Sequence, residues 1–152
     1  MPLWIFAHSP NTFSAEEKQG LAREITRMYT RLQIPAFFVN VRFSEMDPST
    51  MYIGGESHLN YTAISIYHIA AQFKEESGRK RFLDKVDSIL TPRLREKGMD
   101  WEYFVQETPI DLWRINGTIP PEFGSELWKQ WVQQNRPVEG DLCKDHSKGL
   151  VT

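Results

Sequence analysis

The chain has 152 residues, 25% of them charged with both signs mixed, 40% hydrophobic and 12% aromatic, and its formal net charge is -2. That length suits one domain burying roughly two-thirds or more of its unfolded surface, and the composition is that of a soluble globular chain rather than a disordered one. Near-neutral charge without a basic block excludes strong attraction to nucleic acid, and the apolar run at residues 3–7 is too short for a signal peptide or a membrane span.

The chain opens Met1-Pro2-Leu3-Trp4-Ile5-Phe6. Residues 2–8 show no clear alternation, which predicts a strand covered on both faces. A small second residue lets the initiator methionine be trimmed. Pro2 would then become the amino terminus, and its nitrogen a secondary amine able to carry or accept a proton. Proline is equally tolerated as a plain first residue of a strand. Ser9-Pro10-Asn11-Thr12 is turn chemistry, and Ser14 followed by Glu17 has capping-box spacing. In the helix that follows, Leu21, Ile25, Met28, Tyr29 and Leu32 form one apolar stripe. Gln33-Ile34-Pro35 ends it, because the residue before proline is pushed out of the helical region. Residues 37–44 read as a second strand with Val39, Val41 and Phe43 on one face and Phe38, Asn40 and Arg42 on the other. A helix of about 18 residues between them makes a parallel β-α-β unit with a right-handed crossover.

Asp47-Pro48-Ser49 is a turn, and Met51-Tyr52-Ile53-Gly54-Gly55 a short strand ending in a glycine turn. The pattern then repeats. Residues 61–69 predict a strand and residues 76–97 a helix, with Phe82, Val86, Ile89 and Leu90 as its buried side. Pro92 is placed to kink this helix and Gly98 to cap it. Residues 100–106 form an aromatic strand before the turn Thr108-Pro109. The two halves are offset by about 60 residues, as in a duplicated module. Residues 127–132, with Trp128 and Trp131, predict a short amphipathic helix packing on the body or on a neighbouring subunit. The domain is expected to span residues 1–137, as halves of about 2–58 and 59–124 plus a packing extension, with 138–152 a flexible tail. Cys143, the only cysteine, lies in that tail and has no disulfide partner. A reducing, cytoplasmic setting fits it.

Pro2 opening a strand, the duplicated halves, Ser44-Glu45-Met46 leading into Tyr52-Ile53-Gly54-Gly55-Glu56, and Trp101-Glu102-Tyr103-Phe104 before Thr108-Pro109 together resemble the tautomerase superfamily. The length and the aromatic strand are most similar to its fused branch, typified by cis-3-chloroacrylic acid dehalogenase. The resemblance covers Pro2 to about Gly124. It implies an α+β fold: two β-α-β units related by a pseudo-twofold, forming a four-stranded sheet with two helices on one face. It also implies a homotrimer with the amino-terminal proline at the bottom of a pocket near subunit contacts. Catalysis would be cofactor-free, with a small-molecule carbonyl or unsaturated acid as substrate and no nucleic-acid or membrane partner.

Carried over residue by residue, the resemblance keeps Pro2 and Tyr103. Tyr29 stands where the dehalogenase has a histidine, Ala71 and Lys74 where it has two carboxylate-binding arginines, Ile115 where it has a water-activating glutamate, and Asn40 where simpler tautomerases have an arginine. Chloroacrylate dehalogenation is therefore not expected. Pro2 and Tyr103 are the catalytic candidates, Tyr103 donating to a carbonyl or enolate oxygen. Arg114, Asn116, Tyr29, Asn40, Arg42, His68 and Lys74 are the substrate-binding candidates. Arg114 suits a carboxylate clamp and Asn116 a carbonyl contact. His68 on an apolar strand face, Tyr29 on the helix stripe and Asn116 before Gly117 are equally explained as core or turn residues, and His8 is a weaker candidate still. No metal-ligand spacing exists, and Gly54-Gly55 lacks the context of a dinucleotide site. The leading expectation is keto-enol tautomerisation of a carbonyl acid by the Pro2 amine. Hydratase, dehalogenase or decarboxylase chemistry with the same amine, or a non-catalytic trimeric binding protein, are the alternatives.

Overall fold

The computed structural model describes residues 1–69, 73 and 75–138. Its central sheet has four strands in the order β2-β1-β5-β6: β1 (Leu3–His8), β2 (Asn40–Glu45), β5 (Tyr61–His68) and β6 (Asp100–Glu107). β1 and β2 run parallel across the crossover helix α1 (Ala15–Thr30), and β5 and β6 run parallel across α2 (Glu76–Glu96). The two units meet through the antiparallel pair β1/β5, which sets Leu3 opposite Tyr67 and His8 opposite Thr62. A twofold through that pair relates the halves, as expected from the repeat. Tyr52–Ile53 (β3) and Glu56–Ser57 (β4) form a small hairpin outside the sheet, and its turn is made by Gly54 and Gly55 at φ 63° and 91°. Two successive positive φ angles are the requirement of the turn that follows the strand twist, which is why glycine occupies both places.

One face of the sheet carries the core. Trp4, Phe6, Ile64 and Ile66 are buried against Leu21, Ile25, Met28 and Tyr29 of α1 and Val86, Ile89, Leu90 and Leu94 of α2. Burial alternates along β1 and β5, with Leu3, Ile5 and Ala7 only half-buried on the opposite face. β1 is therefore not covered on both faces within one chain. The absence of polar residues from its outer positions hid the alternation.

The Ser14–Glu17 capping box forms as predicted, each residue's side chain accepting from the other's backbone N–H. α1 stops at Thr30, so Leu32 leaves the stripe and is 58% exposed. Residues 36–38 make a 3₁₀ turn in which Phe38 and Val39 donate to the carbonyls of Pro35 and Ala36. This removes Phe38 from the strand face of Asn40 and Arg42 and buries it beneath Trp113 and Trp128. α2 runs unbroken through Pro92, and Arg93 donates its guanidinium to the Ile89 carbonyl and to Glu24 of α1. Gly98 at φ 62° ends α2, where Met99 N–H bonds the Leu94 carbonyl and Gly98 N–H that of Arg95, the paired pattern of a left-handed helix stop. Helix α3 (Glu126–Gln134) packs Trp128 and Trp131 around Phe38, and their indole N–H groups donate to the carbonyls of Gln33 and Val138. Apart from Val138, the expected tail lies outside the described residues, as do Ala71 and Lys74. No described helix is long and apolar enough to cross a membrane.

Candidate functional site

Pro2 is buried at the head of the central strand β1, and its carbonyl accepts from Asn40 N–H at 2.8 Å. Because Leu3 faces Tyr67 and Tyr67 faces Gln106, one step back places Pro2 opposite His68, and His68 opposite Glu107. All three side chains lie on the helix-covered side. Neighbouring strands are about 4.8 Å apart, so the row Pro2-His68-Glu107 spans roughly 10 Å across the end of the sheet.

A buried polar chain runs beneath this row. Trp4 Nε1 donates to Tyr29 Oη at 3.1 Å, and Tyr29 Oη lies 3.4 Å from His68 Nδ1. An indole only donates, so the tyrosine oxygen accepts from Trp4 and is joined through its contact with Nδ1 to His68. Burial raises the Tyr29 phenol well above its ordinary pKa, so it remains a neutral donor. The His68 ring stacks flat on Phe73, with centroids 4.7 Å apart at 5°, and packs against Phe82 at 4.8 Å. Tyr29 and His68 are thus core residues and, at the same time, the polar floor nearest Pro2.

Met1 packs its side chain on the core, and burial lowers its terminal amine from 8.0 to about 4. The place Met1 fills lies next to Pro2 and would open if the methionine were removed.

The other candidates scatter. Tyr103 shares the helix-facing side but is level with Ile64 and Phe6, four positions along and two strands across from Pro2, roughly 16 Å away. Its hydroxyl donates to Asp87 at 2.7 Å, and burial together with that carboxylate raises its pKa. Within one chain Tyr103 and Pro2 do not share a site. Asn40 and Arg42 lie on the opposite, uncovered sheet face, joined by Arg42 Nε donating to Asn40 Oδ1 at 3.1 Å. Trp113 stacks edge-on against Phe38 and so holds residues 110–118 at the Pro2 end of β2. There Arg114 folds back onto the carbonyls of Asp111 and Trp113 at 2.7 and 2.8 Å. Asn116, at φ 50°, is a turn residue between the bridged pair Ile115 and Thr118. His8 is fully buried at the far end, its Nδ1 against the Ser9 carbonyl at 2.8 Å. Among the described residues no cluster of His, Cys, Asp or Glu is placed to hold a metal. Sequence reasoning missed Trp4, Glu107 and Phe73. Only strand register brings the first two to the site, and no periodicity marks the third.

A sheet built of two β-α-β halves, with a proline heading a central strand and both helices on one face, is the architecture of the tautomerase superfamily. The chain belongs within it to the family described as "Putative oxalocrotonate tautomerase enzyme", whose model it matches over residues 1–136. It is similar to a probable enzyme from the thermophilic fungus Aspergillus fumigatus, with 50% identity covering 92% of this chain and 98% of that one, TM-score 0.88. It is also similar to RhCC from Rhodococcus jostii RHA1, with 35% identity, 91% and 99% coverage and TM-score 0.87. A member of the cis-3-chloroacrylic acid dehalogenase family shares the fold at 17% identity, 85% and 89% coverage and TM-score 0.67. None of the curated proteins compared matches the chain.

Proposed function

We propose that the protein is a Pro2-dependent enzyme that, once Met1 is removed, transfers a proton between carbon and oxygen of a carbonyl acid, interconverting enol and keto forms without a cofactor. The observation that carries this reading is the burial of Pro2 at an end of the sheet where burial lowers the adjoining Met1 terminal amine to about 4. A secondary amine is ordinarily protonated at neutral pH. Desolvation penalises the charged form, so burial at this place shifts a Pro2 amine toward the unprotonated base, able to remove a proton α to a carbonyl and return it elsewhere. The Tyr29 hydroxyl, held neutral by burial, adds no positive charge that would fix a small dianion, which favours a monoacid or larger carbonyl compound.

The uncovered sheet face, with Leu3 and Ile5 half-buried and Phe104 51% exposed, supports a homotrimer. A fused 4-OT with this fold is an asymmetric trimer. The test is turnover of phenylenolpyruvate by protein whose intact mass lacks Met1. Pro2→Ala is expected to lose at least about a hundredfold in kcat/KM, the usual contribution of a positioned general base. Equal rates in the two proteins, or full activity in protein that retains Met1, would refute the assignment.

A further inference from the structure

A cleft of about 530 Å³ opens between α2 and the outer edge of β6, within the size range of small-molecule sites. Phe73, Phe82, Leu83 and Val105 wall it, with Arg79, Tyr103 and Glu107 as its polar groups. The aromatic walls are held in place: Phe73 lies flat on His68, and Phe82 touches both rings at 4.8 and 5.2 Å. Pro2 does not line the cleft, which adjoins the amine row through Glu107 and the Phe73–His68 stack. Leu83 is 39% exposed into it, an apolar side chain that a flat ligand would cover.

The polar groups have unequal commitments. The Tyr103 hydroxyl proton is taken by Asp87. One oxygen of Glu107 accepts Phe73 N–H at 2.7 Å, which orients the carboxylate and leaves its second oxygen for another donor. The Arg79 guanidinium makes no hydrogen bond or ion pair with any described residue. A cation at one place on the rim and an acceptor-only carboxylate at another select a ligand with a matching pair of groups.

We propose that this cleft binds a flat aromatic acid that carries a hydrogen-bond donor remote from its carboxylate: rings between Phe73, Phe82 and Leu83, carboxylate on Arg79, and the donor on Glu107. The proposed binding uses no contact with Pro2, although Glu107 stands in the same row across the sheet.

The test is titration calorimetry with 6-hydroxy-2-naphthoate, its methyl ester and 2-naphthoate, together with amide shift mapping on the unaltered protein. The expected result is one saturable site per chain, with shifts centred on Phe73, Leu83 and Val105. Arg79→Gln should weaken the acid about tenfold and leave the ester unchanged, while Glu107→Gln should weaken the hydroxylated acid more than 2-naphthoate. Leu83→Trp should fill the cleft and abolish binding. Pro2→Ala should bind as the parent does. Absence of saturable binding, shifts centred on Pro2, or equal loss for acid and ester in Arg79→Gln would each overturn the proposal.

Discussion

Tyr29→Phe isolates the buried polar chain beneath the amine row. The substitution keeps the ring in place and deletes only the hydroxyl, which accepts from Trp4 Nε1 at 3.1 Å and lies 3.4 Å from His68 Nδ1. Trp4 and Tyr29 are both 0% exposed, so water cannot take over the indole proton. A buried donor left unpaired costs about 1–3 kcal/mol. The longer contact to His68 adds less. The expected destabilisation is therefore about 2 kcal/mol, read as a shift in urea midpoint at constant slope. For a chain of this size it corresponds to a fall in melting temperature of roughly 4–8 °C. Measurements at one fixed protomer concentration remove any contribution from association. A double-mutant cycle with Trp4→Phe checks the source, since the Tyr29 change should cost clearly less once the indole N–H is absent. A loss below about 0.5 kcal/mol, or an undiminished effect in the Trp4→Phe background, would refute the reasoning.

Three further expectations rest on other parts of the molecule. Tyr29 and Tyr103 both have raised pKa values; the neutral phenol is favoured in the fold, so this stability is complete below the ordinary tyrosine value of 10.0 and is lost as pH rises above it. Absorbance titration should show Tyr29 ionising only with loss of structure; smooth reversible ionisation of all 5 tyrosines in the native protein would contradict the burial. Ser14→Ala should cost about 1 kcal/mol in the same urea assay, the usual value of a capping residue, because it frees Glu17 N–H at the start of α1; no change would mean that water replaces the cap. Gly98→Ala forces a Cβ into φ 62° at the end of α2, and a loss of about 1 kcal/mol is expected there, with a stabilising effect as the contrary result.

How far the sequence reached depended on the range of the interaction concerned. The α1 cap is a three-residue pattern and Gly98 a single-residue one, and both were legible because the physics that makes them is local. The helix stripes were legible for the same reason up to Leu32, where Pro35 and the turn after it, rather than periodicity, decide the end. The two parallel β-α-β units followed from the repeat, while the antiparallel β1/β5 pair that joins them did not. What the sequence could not show was level along the sheet. Tyr103 is separated from Pro2 by register alone, and Glu107 and His68 join Pro2 by register alone. Arg114 and Asn116 looked like ligand-binding groups because their types are right for that work. Their backbone needs take precedence: Asn116 supplies a left-handed turn and Arg114 satisfies two loop carbonyls.

The twofold between the halves has a stoichiometric consequence. The pairing that sets Pro2 opposite His68 also sets Thr62 opposite His8, and the rotation that exchanges the two histidines exchanges Pro2 with Thr62. Thr62 lies mid-chain, so its nitrogen is an amide and cannot become an amine by any trimming of the terminus. Fusion of the halves thus leaves one free terminus for two equivalent ends. The end that lost its terminus is closed: His8 and Thr62 are both fully buried, and His8 Nε2 and Thr62 Oγ1 make no hydrogen bond among the described residues. With Met1 removed as proposed, the count of reactive proline amines per sheet should therefore be one, and a reagent that labels amino-terminal proline should saturate at one equivalent per chain.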